Sequence, residues 1–282
     1  MDSVKQWWYN DLPVGIKIVL LVLLANAMPA TLILWGLPTK TDQLFVWTIK
    51  PVINAHLIGV MYTNALILIA IGAMQTSWAR IRIIMVVITL FSILATLLTF
   101  FFLKPFLAHP WFHLAYWLSM YFVLFFAAPI VFVQMERKEG GHLPVQLPLN
   151  AAARGLAVVF LLSRLQTRLA LTFRVESVNQ VLPWQLPPLV AGLIGVLFFT
   201  HAAAYGWALW DGDWRRTRPI FWQAPPTALL FLTLPLFHPA DLRPDAGTAT
   251  AVYLTTAALA GLLSLGLIIT YRSKERATPS HA

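Results

Sequence analysis

Arg164 and Arg168 stand four residues apart inside an otherwise apolar stretch, Ala151 to Phe173, so on a helix their guanidiniums share one face. Neither that stretch nor any other long apolar run of the chain contains Asp or Glu. A guanidinium at membrane depth without a local acid must be satisfied by backbone carbonyls, water, a polar cavity or an anionic ligand. A lipid phosphate, a carboxylate or a haem propionate has the right chemistry. The alternative is a tilted helix whose two arginines snorkel towards headgroups. His56 and His113 form a second candidate set, near the same end of two parallel helices. Two imidazoles at similar depth can ligate one b-type haem axially. His109 lies close to His113, whereas in the second half the places of His56 and His113 hold no histidine and His201 sits much deeper. Asn64, with Asn54 and Thr63, either joins His56 in a polar lining or bonds between helices.

The elements that position these residues are read from hydropathy. Eight apolar stretches of roughly 18 to 24 residues are each long enough to cross a hydrocarbon core as a helix. They run from Ile16 to Leu37, Pro51 to Met74, Ile81 to Leu103, Phe112 to Val133, Ala151 to Phe173, Pro188 to Leu209, Pro219 to Phe237 and Ala249 to Tyr271. Their continuous apolar character lacks the alternation of a lipid-facing strand, which excludes a β-barrel. The fold class is therefore all-α and polytopic, in a chain of 282 residues that is 59% apolar and 11% charged, with a mean hydropathy of +0.72. Lys17, the run Ile18 to Leu24 and Ala25-Asn26-Ala27 mimic a cleavable signal. The apolar run continues to Trp35, so retention as a first helix is expected.

A net charge of +9 does not indicate nucleic acid, because the basic residues are scattered through short loops. They report topology instead. With a cytoplasmic N-terminus, the inside segments hold Lys5, Lys17, Arg80, Arg82, Arg137, Lys138, Arg154, Arg215, Arg216, Arg218, Arg272, Lys274 and Arg276. The outside holds only Lys40, Lys50, Lys104, Arg174 and Arg243. Both termini are thus expected in the cytoplasm of a cell with this protein in its plasma (inner) membrane. The absence of cysteine removes thiolate catalysis, disulfides, Fe–S clusters and Cys-ligated zinc. No phosphate-cradling loop, nucleophile elbow, paired carboxylates or zinc-type His-Glu helix is present.

An internal repeat organises the chain. Trp78-Ala79-Arg80-Ile81-Arg82 and Trp214-Arg215-Arg216-Thr217-Arg218 keep one spacing, and the same register places Leu57-Ile58-Gly59-Val60 on Leu193-Ile194-Gly195-Val196. One residue of slippage upstream sets Trp47 and Pro51 on Trp184 and Pro188, with the tryptophans expected at headgroup level. Two parallel four-helix units follow, 1–134 and 151–271, joined by a cytoplasmic linker 135–150 and followed by a cytoplasmic tail 272–282. Gly59 and Gly195 suit close helix approach, and Pro129, Pro225, Pro226 and Pro235 should kink or loosen their helices.

The phrases Trp47-Thr48-Ile49-Lys50-Pro51, His109-Pro110-Trp111-Phe112 and Leu182-Pro183-Trp184-Gln185-Leu186-Pro187-Pro188-Leu189 resemble a bacterial family of uncharacterised multi-pass integral membrane proteins. In that family a Trp-Pro-Trp-like phrase precedes the sixth helix and a His-Pro-aromatic phrase the fourth. This chain has Pro187-Pro188-Leu189-Val190-Ala191-Gly192 where the family often reads Thr-Pro-Leu-Thr-Ala-Arg, so that arginine is not carried over. The resemblance implies the fold and brings no activity.

Three functions follow as expectations. The first is binding or transport of an apolar or anionic small molecule or lipid near the outer leaflet, with Arg164, Arg168, His56, His113 and Asn64 as ligand-binding residues and no cofactor or metal. The second is electron transfer through haem b held by His56 and His113. The third is a structural subunit that packs against partner membrane proteins.

Overall fold

Two arginines from opposite halves of the chain converge on one buried carboxylate, and that contact organises the helices around it. The computed structural model describes residues 12–277; Lys5, among the basic residues assigned above to the inside, lies outside them. Among the described residues eight helices are long and apolar enough to span a bilayer: α1 (Val14–Gly36), α2 (Val52–Ala73), α3 (Trp78–Phe101), α4 (Trp111–Glu139), α5 (Ala151–Phe173), α6 (Pro188–Asp211), α7 (Trp214–Trp222 continuing as Ala224–Phe237) and α8 (Gly247–Ala277). Among the described residues there is no strand, and Pro148 and Asp213 make an isolated bridge.

Local chemistry explains the helix starts. Pro13, Pro51, Pro110 and Pro187 each stand immediately before a helix, where a missing N–H costs no intrahelical bond. Two starts have side-chain caps instead: Asn150 Oδ1 accepts from Ala153 N, and Asp213 Oδ1 accepts from Arg215 N and Arg216 N. Within the helices, Ser92, Thr96 and Thr99 return their hydroxyls to the carbonyl one turn earlier, which satisfies them where water is absent.

Neighbouring helices pair as α1 with α2, α3 with α4, α5 with α6 and α7 with α8. Contacts of α3 with α6 and of α2 with α7 join these pairs. The central helices are α2 and α6, 67% and 72% buried along their apolar windows, against 17% for α5 and α8. The centre therefore holds the least lipid-exposed surface, and α5 and α8 form an outer wall.

Several helices outrun their apolar stretches. The paired Trp-Arg phrases are first turns of α3 and α7, not loops, and α4 continues to Glu139 while α8 continues through Arg276. Hydropathy stops at the first charges, but hydrogen bonding within a helix does not. These extensions carry acids that the apolar runs lack. Asp211, the last residue of α6, accepts from Arg82 Nη2 of α3 and, at 2.8 Å, from Arg216 Nε of α7. Both guanidiniums also bind the 140–150 connection: Arg82 Nη1 to Gly141 O at 3.1 Å and Arg216 Nη1 to Pro144 O at 2.9 Å. Asp213 Oδ2 takes the amides of Gln146 and Leu147 at 2.6 and 3.0 Å, so the connection lies against the bundle. Gly212, at φ +71°, makes the left-handed turn between these two acids, a conformation that favours glycine.

At the opposite end, Asn54 of α2 ties the halves by accepting from Trp184 Nε1 at 3.1 Å and donating to Gln185 O at 2.9 Å. Trp47 and Trp184 are buried in protein rather than presented on the outer surface of the bundle. Trp47 packs on Phe45, Phe106 and Trp117, whose rings provide a better apolar seat than an interface.

Replacing Asp211 with Ala strands two buried guanidiniums and should cost about 3–5 kcal/mol of stability. Asp245→Ala removes an exposed carboxylate 3.8 Å from Arg243 and should cost less than about 1 kcal/mol. Thermal unfolding of both variants in one detergent checks this; equal shifts would contradict the central place given to Asp211.

Candidate functional site

A cavity of about 430 Å³ lies among α5, α6, α7 and α8 and reaches Asn64 of α2. Its walls are mainly apolar, with Phe198, Ala228 and Phe231 among them, and its polar groups come from five helices. Ligand sites commonly combine such a surface with a few placed polar groups.

Arg164 of α5 lines this space, its guanidinium carbon 5.4 Å from the Phe160 ring centroid and 5.6 Å from those of Phe198 and Tyr205. These aromatic faces favour a cation at that distance. Among the described residues no carboxylate comes within ion-pair distance of it. Arg168, one turn on, does not line the cavity. Its guanidinium rests on α6 at Gly195, where a Cβ would fall 2.8 Å from an Arg168 Nη and 3.1 Å from Cδ. Gly195 therefore admits an arginine side chain as well as a close helix, and the two arginines of the pair separate in role.

Asn64, near the middle of α2, bridges the halves. Its Nδ2 donates to His201 Nε2 of α6 at 3.2 Å, and its Oδ1 accepts from Thr227 Oγ1 of α7 at 2.9 Å. His201 Nδ1 donates to Leu197 O at 2.8 Å, so the tautomer with the proton on Nδ1 satisfies the whole chain of bonds. Asn64, His201 and Thr227 thus present an ordered polar strip to the cavity. Beside them, α7 breaks at Gln223, where Pro225 and Pro226 withhold two backbone donors. Gln223 is 2% exposed and lines the same space.

Leu182 and Pro183 close one end of the cavity. At the other end α5 and α8 meet, where Tyr271 donates to Pro148 O at 3.0 Å and accepts from Asn150 N at 2.6 Å. Contacts between α5 and α8 are otherwise sparse, and the cavity lies between Arg164 and Thr167 of α5 and Ala249 to Ala260 of α8.

The histidines divide differently from the pairing expected from sequence. His56 does not meet His113. Its Nδ1 bonds His238 Nε2, its Nε2 faces Trp35 O at 3.3 Å, and its ring stacks on Trp35. His113 packs against His109 and Phe112, with centroids 6.0 and 4.3 Å away. His238 directs its other nitrogen to Asp241 Oδ2 at 3.5 Å, and the same oxygen accepts from Ile53 N at 2.8 Å. The result is a chain from Trp35 through His56 and His238 to Asp241 that crosses the halves away from the cavity.

Sequence reasoning selected Arg164 and Asn64, which share the cavity, and Arg168, His56 and His113, which do not line it. It passed over His201, Thr227 and Gln223. The available signal was a polar residue centred in an apolar run, present for His201 and Thr227 but common in membrane helices. Comparison with protein-family models, with curated proteins and with solved structures finds no match.

Burial holds the His238 imidazole below its ordinary pKa, and Asp241 opposes part of that shift. The folded chain therefore favours neutral His238 more than the unfolded chain does. Its stabilising contribution is complete above the ordinary value of about 6.5 and is lost as pH falls through the lower folded value. Unfolding midpoints should drop from pH 7.5 to pH 5, and His238→Gln should flatten that slope. An unchanged slope in the variant would remove His238 from the account.

Proposed function

We propose that this multi-pass membrane protein binds a small amphipathic anion in the cavity between α5 and α8, its acidic group at Arg164 and its apolar body along α7 and α8. The observation that carries this reading is a half-buried guanidinium on the wall of a 430 Å³ space, with aromatic faces around it and no carboxylate partner among the described residues. A ligand carboxylate or phosphate supplies the missing charge in a charge-assisted bond. Asn64 and Gln223 add hydrogen-bonding groups that orient the ligand head, and His201 holds Asn64 in place.

The basic residues support a topology with both Trp-Arg phrases and both termini in the cytoplasm of a plasma-membrane protein. The cavity end at Leu182 and Pro183 then belongs to the outer leaflet. The matching helix pairings within residues 14–139 and 151–277 support two four-helix units of parallel orientation.

A dansyl-labelled fatty acid and its methyl ester, added to the protein in nanodiscs with empty discs as the blank, test the charge requirement. The acid should bind more tightly than the ester, and Arg164→Gln should weaken the acid by about 10- to 100-fold, the equivalent of a lost hydrogen bond to a charged group. The ester should change little. Equal affinity of acid and ester for the native protein would sink the assignment of Arg164.

A further inference from the structure

The first half of the molecule contains a small cavity of about 50 Å³ among α1, α2, α3 and α4. The register that sets Gly59 on Gly195 relates it to the large one. Seven of its twelve lining residues fall on residues that line the 430 Å³ cavity, once the one-residue slippage before α2 is applied to α1. Local geometry follows the same register. A Cβ on Gly59 would lie 3.4 Å from Leu34 Cβ, and one on Gly195 would lie 3.6 Å from Leu171 Cβ, with Leu34 and Leu171 at matching positions of α1 and α5.

Met61, Tyr62 and Trp117 are matched by the similar Leu197, Phe198 and Tyr253, and the other four pairs differ in kind. Phe91 corresponds to Thr227, Tyr121 to Ala257, Ala27 to Arg164 and Ala65 to His201. In the first half, Phe91 and Tyr121 have ring centroids 6.2 Å apart, and Trp117 lies 4.3 Å from Tyr121, so aromatic side chains occupy the centre. In the second half the matched Thr227 and Ala257 are small, and Tyr253 stands where Trp117 does. The half that lost the rings has the arginine and the histidine.

We infer that the two halves carry one ancestral-type pocket in two states, sealed by Phe91 and Tyr121 in the first half and open in the second because Thr227 and Ala257 replace them. This rests on the reading of the second-half cavity as a ligand site and deepens it. The ligand's apolar body occupies the room that a phenyl and a phenol ring fill in the first half, and its acidic group meets Arg164, which stands where the sealed pocket has Ala27. Thr227 and Ala257 are therefore the residues that set the size of the ligand. The inference also explains why polar groups gather on one side of a repeated fold: a cavity that admits a charged head needs a cation and a bonded imidazole, whereas a sealed one needs only complementary rings.

The test transfers the seal. Ala257→Tyr, which keeps the Thr227 hydrogen bond to Asn64, should raise the thermal unfolding midpoint in ligand-free detergent, because the new ring enters the room that Tyr121 fills in the first half. It should also weaken both the dansyl-labelled acid and its methyl ester at least about 10-fold, since size and not charge is altered. A lowered midpoint with probe binding retained overturns the inference. If that variant does not fold, the converse decides: Phe91→Thr with Tyr121→Ala should add a second bound methyl ester per chain, and a single ester would overturn the inference. Failure of the native protein to bind either probe would count against the ligand site alone, because the midpoint comparison still reports whether the pockets are equivalent.

Discussion

Asp211 sits where three apolar helices end, and its two carboxylate oxygens bind arginines from both halves of the chain. A buried guanidinium needs its charge matched, and here Asp211 serves both arginines, with Glu136 3.8 Å from Arg82 and Asp213 3.8 Å from Arg216. The arrangement fixes how α3 and α7 stand relative to α6. It also holds the 140–150 connection, because Gly141, Leu143 and Pro144 supply the remaining acceptors. Lipid offers little energy for choosing one helix arrangement over another, since the apolar sides of all helices suit acyl chains equally. Directional polar contacts at the helix ends therefore decide the packing, and the small-residue contacts at Gly59 and Gly195 refine it.

Once the ends are fixed, the interior can be uneven. The first half fills its centre with Trp117, Tyr121 and Phe91, and the second leaves a cavity bordered by Arg164 and the Asn64, His201 and Thr227 strip. The cavity forfeits packing contacts and leaves a charge without a counterion among the described residues, both unfavourable to the bundle alone. The strip limits the loss by satisfying its members internally. Asn64 does so from the other half, which makes the cavity a property of the whole chain.

Much of this architecture was legible in the sequence because hydropathy acts locally. The span Ala151 to Phe173 matches α5 at both ends, and each of the other seven runs overlaps one helix. The ends were less visible: Glu136 and Asp211 lie beyond the apolar residues, and both meet Arg82, which is far from them along the chain. Arg164 and Asn64 stood out as polar groups in apolar surroundings. The partner of His56 did not, because His238 arrives from 182 residues away through a turn that no periodicity marks. His113 attracted attention by its position near the same helix end, yet its ring is taken up by His109 and Phe112. Side-chain direction around a helix, rather than depth, separates these outcomes.

The sparse meeting of α5 and α8 has a consequence for how occupancy is controlled. Tyr271 clasps the two helices at one end, and beyond that clasp they make few contacts. On the proposed function, a molecule arriving there would come sideways out of the bilayer, and its mole fraction in the membrane would set the filling of the cavity. Two solutes of equal intrinsic affinity would fill it unequally if one partitions into lipid more strongly, and the bilayer would act as the first filter on what the protein holds.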